Sequence, residues 1–158
     1  MISFDNLTEI YRSGVGSLIY LVKHARPDIA NIVRELAKCM SGAFIAALTE
    51  LLRVIKFVLS TVNYGLYIEP KMQEDKMWDL VVYLGSDWAG DKDSRRSVSG
   101  YIMYLLGVPI LWKSKLQQTI ALSSTKAEYF ALSEAAKGIK FLIQSLCEWI
   151  MSVLSSWQ

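Results

Sequence analysis

The sequence is poor in the residues that build nucleophilic or zinc-dependent active sites. Its single histidine, His24, offers no nearby partner for a Ser/His/Asp triad or a Cys/His pair. Its two cysteines, Cys39 and Cys147, lie far apart and form no CxxC or Cys/His spacing. The sequence therefore predicts no zinc site, and we interpret the cysteines as reduced, buried thiols of an intracellular protein.

Long hydrophobic runs and targeting segments are also missing. The longest uncharged stretch, residues 97–112, is shorter than the roughly 18 to 20 apolar residues of a membrane span and is interrupted by Gly100, Gly107 and Pro109. The N-terminus, MISFDNLTEI, contains acidic residues and lacks the basic start of a secretory or transit peptide. We therefore predict an intracellular protein, cytoplasmic or nuclear, without a membrane partner.

The sequence also lacks a large excess of either positive or negative charge. The net charge is +2, which is too small to indicate a nucleic-acid partner, so the positions of the charges must decide. What the chain does have is apolar content, with 53% hydrophobic and 20% charged residues. That balance indicates a folded, globular protein.

The first seventy residues have the periodicity of helices. One helix is predicted to run from Pro27, which suits a first turn, to Gly42, which suits a helix end. A second helix is predicted over residues 44–59, and residues 63–68 look extended. The inward face of the second helix is predicted to consist of Leu48, Leu51, Leu52, Ile55, Val58 and Leu59.

A polar segment, residues 69–76, separates this helical part from a part rich in Val, Trp and Tyr. We place a domain boundary there, which gives domains 1–70 and 71–158. Strands are predicted over residues 77–84, 98–105 and 110–114. Short connections between them imply a three-stranded antiparallel meander, whose edges and open face need cover from a helix.

The covering helix is predicted to begin at Thr125, which forms a Thr-x-x-Glu capping box with Glu128. Apolar residues follow at helical spacing as far as Val153, and Gly138 is a candidate kink or break. The fold class predicted for the whole chain is therefore α+β.

Four long sequence motifs, here called the four sequence words, occur in this chain in a recognisable order and spacing. They are YRSGVGSLIYLVKHARPDIANIV, RVIKFVLSTVNYGLYI, GSDWAGDKDSRRSVSGY and LWKSKLQQTIALSSTKAEYFALSEAAK. Together they resemble the Pol polyprotein of copia-type retrotransposons over most of residues 11 to 150. The resemblance implies a reverse transcriptase tail, or connection segment, over residues 1–70 and the N-terminal part of a ribonuclease H-like domain over residues 71–158.

The resemblance also implies a chemistry, hydrolysis of the RNA strand of an RNA–DNA hybrid. Ribonuclease H chemistry uses two divalent cations, Mg²⁺ in the family, held around the scissile phosphate by a cluster of carboxylates. Glu128 falls on one family metal-ligand position, within SSTKAEY, whereas Gly85 stands where the family has its first catalytic aspartate. We therefore predict that this chain is catalytically inactive.

Asp87 is the candidate substitute for the missing acid, because residues two apart in a strand share a face. The two positions are nevertheless roughly 6.5 to 7 Å apart along a strand. Active-site geometry tolerates errors of about half an ångström, so Asp87 is predicted to be a poor replacement.

Five basic residues are predicted to lie near one another once the strands pair: Lys92, Arg95, Arg96, Lys113 and Lys115. They form a candidate strip for a phosphate backbone, and Trp88, Tyr101 and Trp112 are candidates for stacking on bases. The competing interpretations are a solvated hairpin with internal ion pairs and ordinary aromatic packing.

Two further functions stay open at this level. The chain is alternatively a non-catalytic module that binds RNA–DNA hybrid or duplex nucleic acid, or a protein that binds a partner or membrane through its apolar C-terminal helix. An exposed edge of the meander would also allow the chain to associate with itself.

Overall fold

The computed structural model describes residues 4–42, 44–71 and 78–156. The chain divides into two compact units, Met1–Glu69 (the helical unit) and Pro70–Gln158 (the sheet unit). Four α-helices and one three-stranded antiparallel sheet make up the described elements. The α+β fold class predicted from the sequence is therefore confirmed.

The helical unit contains α1 (Phe4–His24), α2 (Ala30–Lys38) and α3 (Ile45–Ser60), with a 3₁₀ turn at Pro27–Ile29 before α2. Apolar stripes on the three helices meet in one core, which protects them from water. That core consists of Tyr11, Val15, Leu18, Ile29, Val33, Leu36, Ala47, Leu51 and Val54.

One prediction for α3 is wrong in detail. Leu52 and Leu59 were predicted to face inward, but they are 50% and 68% exposed. The buried stripe follows Ala47, Leu51 and Val54, and Leu52 lies one residue, about 100° of helix rotation, from it. Residues 63–68, predicted to be extended, belong to no strand.

In the sheet unit, β1 (Leu80–Asp87), β2 (Val98–Leu105) and β3 (Val108–Leu116) pair antiparallel in the order β1-β2-β3. The meander is as predicted, and β2 has the predicted bounds. The first strand lies later than the predicted residues 77–84, and Met77 is outside the described residues. Pairing with β2 sets this position, because the ladder continues through Gly85 opposite Gly100 to Asp87 opposite Val98.

The helix α4 (Ser124–Ser155) covers one face of the sheet at β1 and β2. Its N-cap is Ser123, whose side chain accepts a hydrogen bond from Lys126 N at 3.2 Å. The predicted capping box of Thr125 and Glu128 is therefore wrong, because Thr125 already lies inside the first turn. As a result Glu128 is available for a contact with the sheet.

Gly138 does not break α4, which is continuous to Ser155. The residue is buried against the sheet, where a Cβ atom would lie 2.7 Å from Met103 Cε and 3.0 Å from Tyr101 Oη. Glycine is thus needed here for close approach of helix and sheet. The small residues Ala127, Ala131 and Ala135 are buried along the same side of the helix.

The rest of α4 carries exposed apolar side chains, including Phe141 and Trp149. By length and composition alone this helix could cross a membrane, and 6% of its most apolar window is buried. Cys147 is also exposed and Cys39 is half-buried, so the prediction of two buried thiols is wrong. Because many apolar residues of α4 are exposed, the positions of apolar residues in the sequence do not show which side chains of this helix are buried.

Candidate functional site

The side chain of Glu128 lies at the edge of β1. Its Oε1 atom accepts a hydrogen bond from the backbone N–H of Ser86 at 3.2 Å. Ser86 follows Gly85 directly, so the carboxylate from α4 lies one residue from the position where the resembled family has its first aspartate. The structure therefore brings together the two positions that the resemblance singled out, although they are 43 residues apart in the chain.

Gly85 itself lies in open space. A Cβ atom at this position would meet nothing within 4 Å, so the backbone has room for a larger side chain. The alternation of β1 places Ser86 and Leu84 on the side of α4, because Leu84 pairs with Tyr101, which contacts that helix. A side chain at position 85 would start from the opposite face, beside the outer edge of the strand.

Asp87 has its own local contact. Its carboxylate lies against the turn that follows β1, so close to Gly90 that a Cβ atom there would be 2.0 Å from Asp87 Oδ2. Gly90 N also donates to Asp87 O at 3.3 Å, which closes the turn. The carboxylate of Asp87 thus lies against the turn at Gly90, whereas the carboxylate of Glu128 contacts the backbone of Ser86.

The donor set at this site does not fit a pair of divalent cations. Among the residues that the structure describes, no group of three or more His, Cys, Asp or Glu side chains could hold a metal ion. One carboxylate oxygen of Glu128 is already engaged by an N–H group, and Gly85 supplies no ligand. Hard cations such as Mg²⁺ require oxygen ligands, usually with one or two carboxylates beside substrate phosphate.

The loop between β1 and β2 presents three of the predicted basic residues. Asp91 is buried, its backbone pairs with Arg95 N and Arg96 O, and its Oδ2 accepts from Ser94 N at 3.0 Å. This bonding gives the loop a defined shape, with Lys92, Arg95 and Arg96 exposed. None of the three forms an ion pair with a described residue, so the predicted internal ion pairs do not include them.

The other two basic residues lie on β3. Lys115 is opposite Ser99, and Lys113 is opposite Tyr101, so both lie on the α4 side of the sheet. Val98 pairs with Leu116, which brings Lys115 to the same end of the sheet as the loop carrying Arg96. Lys113 differs from the rest because its Nζ lies 3.4 Å from Glu134 Oε2 on α4.

A cavity of about 390 Å³ opens beside Lys115, between β3 and α4. Glu134 lies in its wall with Lys137, which donates to Glu134 Oε1 at 2.8 Å. That hydrogen bond and the one from Lys113 hold the pKa of Glu134 below its ordinary value, against the opposing effect of burial. Sequence reasoning missed this cluster, although the Glu134–Lys137 spacing of three residues on a helix is a signal for a pair.

Gln117 was also missed and is a buried polar residue in the wall of this cavity. Its Nε2 donates to Ser99 Oγ at 2.9 Å and to Ala127 O at 3.0 Å, which ties the end of β3 to α4. The orientation of the amide is determined by these contacts, because Ala127 O can only accept. Gln117 therefore positions the helix that carries Glu128.

The aromatic candidates for base stacking have structural contacts. Tyr101 packs under α4 at Gly138, and burial raises the pKa of its hydroxyl. Trp88 is half-exposed, and its Nε1 donates to Ala121 O at 3.0 Å, which fixes one end of the indole. Trp112 is partly buried on the sheet face opposite α4. Packing thus accounts for Tyr101, whereas Trp88 retains an exposed ring.

Comparison with known proteins finds several relatives that match most of this chain. It is 43% identical over 127 residues to a protein named secreted RxLR effector protein 161 of Plasmopara viticola, covering 80% of this chain and 87% of that protein. It is 36% identical to the retrovirus-related Pol polyprotein from transposon RE1 of Arabidopsis thaliana, and 34% identical to that from transposon TNT 1-94 of Nicotiana tabacum. Each of these matches spans 138 residues and 87% of this chain.

The chain spans only 9% of the RE1 polyprotein and 10% of the TNT 1-94 polyprotein. Neither a protein-family profile nor a solved structure matches it. The several transposon Pol polyproteins agree with the resemblance stated from the sequence. The chain belongs to the family of retrotransposon Pol polyproteins.

Proposed function

We propose that the sheet unit is the N-terminal part of a ribonuclease H-like region that binds RNA–DNA hybrid or duplex nucleic acid without cleaving it. The observation that carries the proposal is the contact of Glu128 with Ser86 N–H, beside Gly85. This contact supports an inherited metal-ligand position at Glu128, one residue along β1 from Gly85, which supplies no acid. The family activity is hydrolysis of the RNA strand by two-metal catalysis.

The absence of cleavage follows from charge. Two divalent cations close to one phosphate repel each other strongly, and several carboxylates are needed to offset that repulsion. Glu128 supplies one negative charge, and Asp87 is held under the turn at Gly90. A single carboxylate cannot hold both cations in the geometry required to activate water and stabilise the leaving oxygen.

Binding relies on the exposed cations at one end of the sheet. Lys92, Arg95 and Arg96 project from a loop of defined shape, and Lys115 lies at the same end on β3. Lysine and arginine that contact phosphates release condensed counterions, so affinity falls steeply as salt increases. Lys113 is expected to contribute less, because Glu134 partly neutralises its charge.

The test is binding of a labelled RNA–DNA hybrid by fluorescence anisotropy over a range of salt, followed by incubation with Mg²⁺. Replacing Arg95 and Arg96 by alanine is expected to lower affinity about tenfold and to reduce the salt slope by about two, since two phosphate contacts are lost. The hybrid is expected to remain intact with the wild-type chain.

The matched control is the double variant Lys23→Ala and Lys56→Ala, which removes the same charge from exposed helix positions outside the sheet unit. It is expected to bind as the wild type does. Salt-independent binding, or an equal loss in the control, would contradict a localised phosphate site. Hybrid cleavage that Glu128→Gln abolishes would contradict the inactive assignment.

A further inference from the structure

The outer edge of β1 lacks the features that normally prevent strand pairing. In the described part of the chain no other strand pairs with this edge. Residues 80–86 carry no charge and no proline, and their ladder with β2 contains no bulge. Strand alternation directs the backbone groups of Leu80, Val82 and Leu84 outward, as it does the N–H of Ser86, which Glu128 already binds.

A second feature lies on α4. Eight apolar residues, here called the α4 seam, repeat at alternating spacings of three and four: Tyr129, Leu132, Ala136, Ile139, Ile143, Leu146, Ile150 and Val153. This heptad pattern is typical of helices that pack along their length against another helix. Tyr129, Leu132 and Ile143 are 67%, 50% and 53% exposed. The seam is distinct from the Ala127–Gly138 side, which packs on the sheet.

These two features lie on the same flank of the sheet unit. A shallow cavity of about 510 Å³ is lined by Leu84 of β1 and by Glu128, Tyr129 and Leu132 of α4. The α4 seam therefore begins directly beside the outer edge of β1. An occupant of this flank must supply a strand for the edge and a helix for the seam in the same relative placement.

A second copy of the sheet unit supplies both. We propose that two copies of this chain associate about a twofold axis perpendicular to the sheet, with β1 antiparallel to β1 of the second copy and the two α4 seams in contact. This association goes beyond nucleic-acid binding and does not depend on it. A lipid surface fits less well, because it offers no partners for the outward backbone groups of β1.

The helix spacing agrees with this arrangement. The helix α4 packs over both β1 and β2. An axis midway between these two strands lies half a strand spacing inward from β1. With strands about 4.8 Å apart, the two α4 axes would then be about 10 Å apart. Packed helices are separated by about 8 to 10 Å, so the sheet edges and the helices can make contact together.

The register can also be specified. Pairing centred on Val82 places Leu80 opposite Leu84 of the second copy and leaves the Ser86–Glu128 hydrogen bond intact. Asp79 then lies opposite Gly85 of the second copy, so no two acids oppose each other there. Like charges directly opposite each other destabilise strand pairs, and this register avoids them.

The first test measures molar mass by light scattering and analytical ultracentrifugation over a concentration series. Ile143→Lys places a charge in the seam and is expected to raise the dimer dissociation constant about 10- to 100-fold. Phe141→Lys is the matched control, because Phe141 is 66% exposed on the same helix but lies outside the seam. It is expected to associate as the wild type does.

The second test reads the register by disulfide trapping in a Cys39→Ser, Cys147→Ser background. With the pairing centred on Val82, Val81 is opposite Tyr83 of the second copy, and both side chains are exposed. A mixture of Val81→Cys and Tyr83→Cys chains is therefore expected to cross-link under mild oxidation. Either variant alone is expected to cross-link far less, since like positions do not oppose each other.

Three results would overturn the proposal. The first is a wild-type chain that remains monomeric at every concentration, with no cross-link in the mixture. The second is a dimer that Ile143→Lys and Phe141→Lys weaken equally, or cross-links that form as readily with one variant alone. The third is a monomer that floats with neutral or anionic lipid vesicles, which would assign the exposed surface of α4 to a lipid surface.

Discussion

Replacing Gly138 by valine is expected to lower the free energy of unfolding of the sheet unit by about 2 to 3 kcal/mol. The new Cβ would lie 2.7 Å from Met103 Cε and 3.0 Å from Tyr101 Oη. Met103 is fully buried, so its methyl group has no solvent space to move into. The better helix propensity of valine returns less than about 1 kcal/mol, so the steric cost dominates.

The measurement is urea denaturation combined with hydrogen exchange, which locates the loss of protection within α4 and β2. Gly16→Val is the matched control, since Gly16 is also helical but a Cβ there meets nothing within 4 Å. Its effect is expected to stay within about 0.5 kcal/mol. Equal effects of the two substitutions would show that Gly138 is not a close-approach position.

Replacing Asp28 by alanine is expected to destabilise the helical unit by about 2 kcal/mol. Arg26, with a side chain only 6% exposed, donates to both carboxylate oxygens of Asp28 at 2.9 and 2.8 Å. It also contacts Thr61 and the ring of Phe57, whose centroid is 5.6 Å away. Loss of Asp28 leaves a buried guanidinium without its counter-charge, although the exposed side of Asp28 moderates the cost.

The same ion pair makes the stability of the helical unit depend on pH. Hydrogen bonds from Arg26 hold the pKa of Asp28 below its ordinary value of 3.8. The contribution of the pair is therefore fully present above that ordinary value and is lost as pH falls through the lower, folded-state value. Asp28→Asn is expected to flatten this loss of stability in acid.

Urea unfolding of the wild type and the Asp28 variants at pH 6 and at about pH 3 measures both effects. The control is Glu50→Gln, which breaks an exposed pair with Arg53 at 3.5 Å and is expected to change stability by less than about 0.5 kcal/mol. A control effect as large as that of Asp28→Ala would mean that burial of Arg26 does not matter. Unchanged acid sensitivity in Asp28→Asn would assign the pH dependence to other groups.

Local patterns in the sequence were sufficient for most of the secondary structure. Alternation of apolar and polar residues predicted β2 with its observed bounds, and short connections predicted the meander. Helical spacing predicted α3 to within one residue at each end. These signals depend on neighbours a few residues apart, and each strand or helix carries its own. The four longer sequence words were sufficient to identify the family.

The candidate site was only partly accessible from the sequence. Resemblance singled out Glu128 and Gly85, but the capping box assigned to Glu128 was wrong because the N-cap of α4 is Ser123, two residues before Thr125. The pairing of Lys113 with Glu134 was not predicted, although it alters one member of the basic strip. No local pattern encodes a contact between a strand and a helix that lie 21 residues apart.

The sequence by itself determined the α+β class, the order of the elements and membership of the Pol family, because periodicity and word order are properties of the chain alone. Tertiary structure decided where β1 begins, why position 138 must be glycine, and which flank of α4 stays open beside an unpaired strand. Each of these depends on distances between segments remote in sequence, which are set only when helix and sheet pack together.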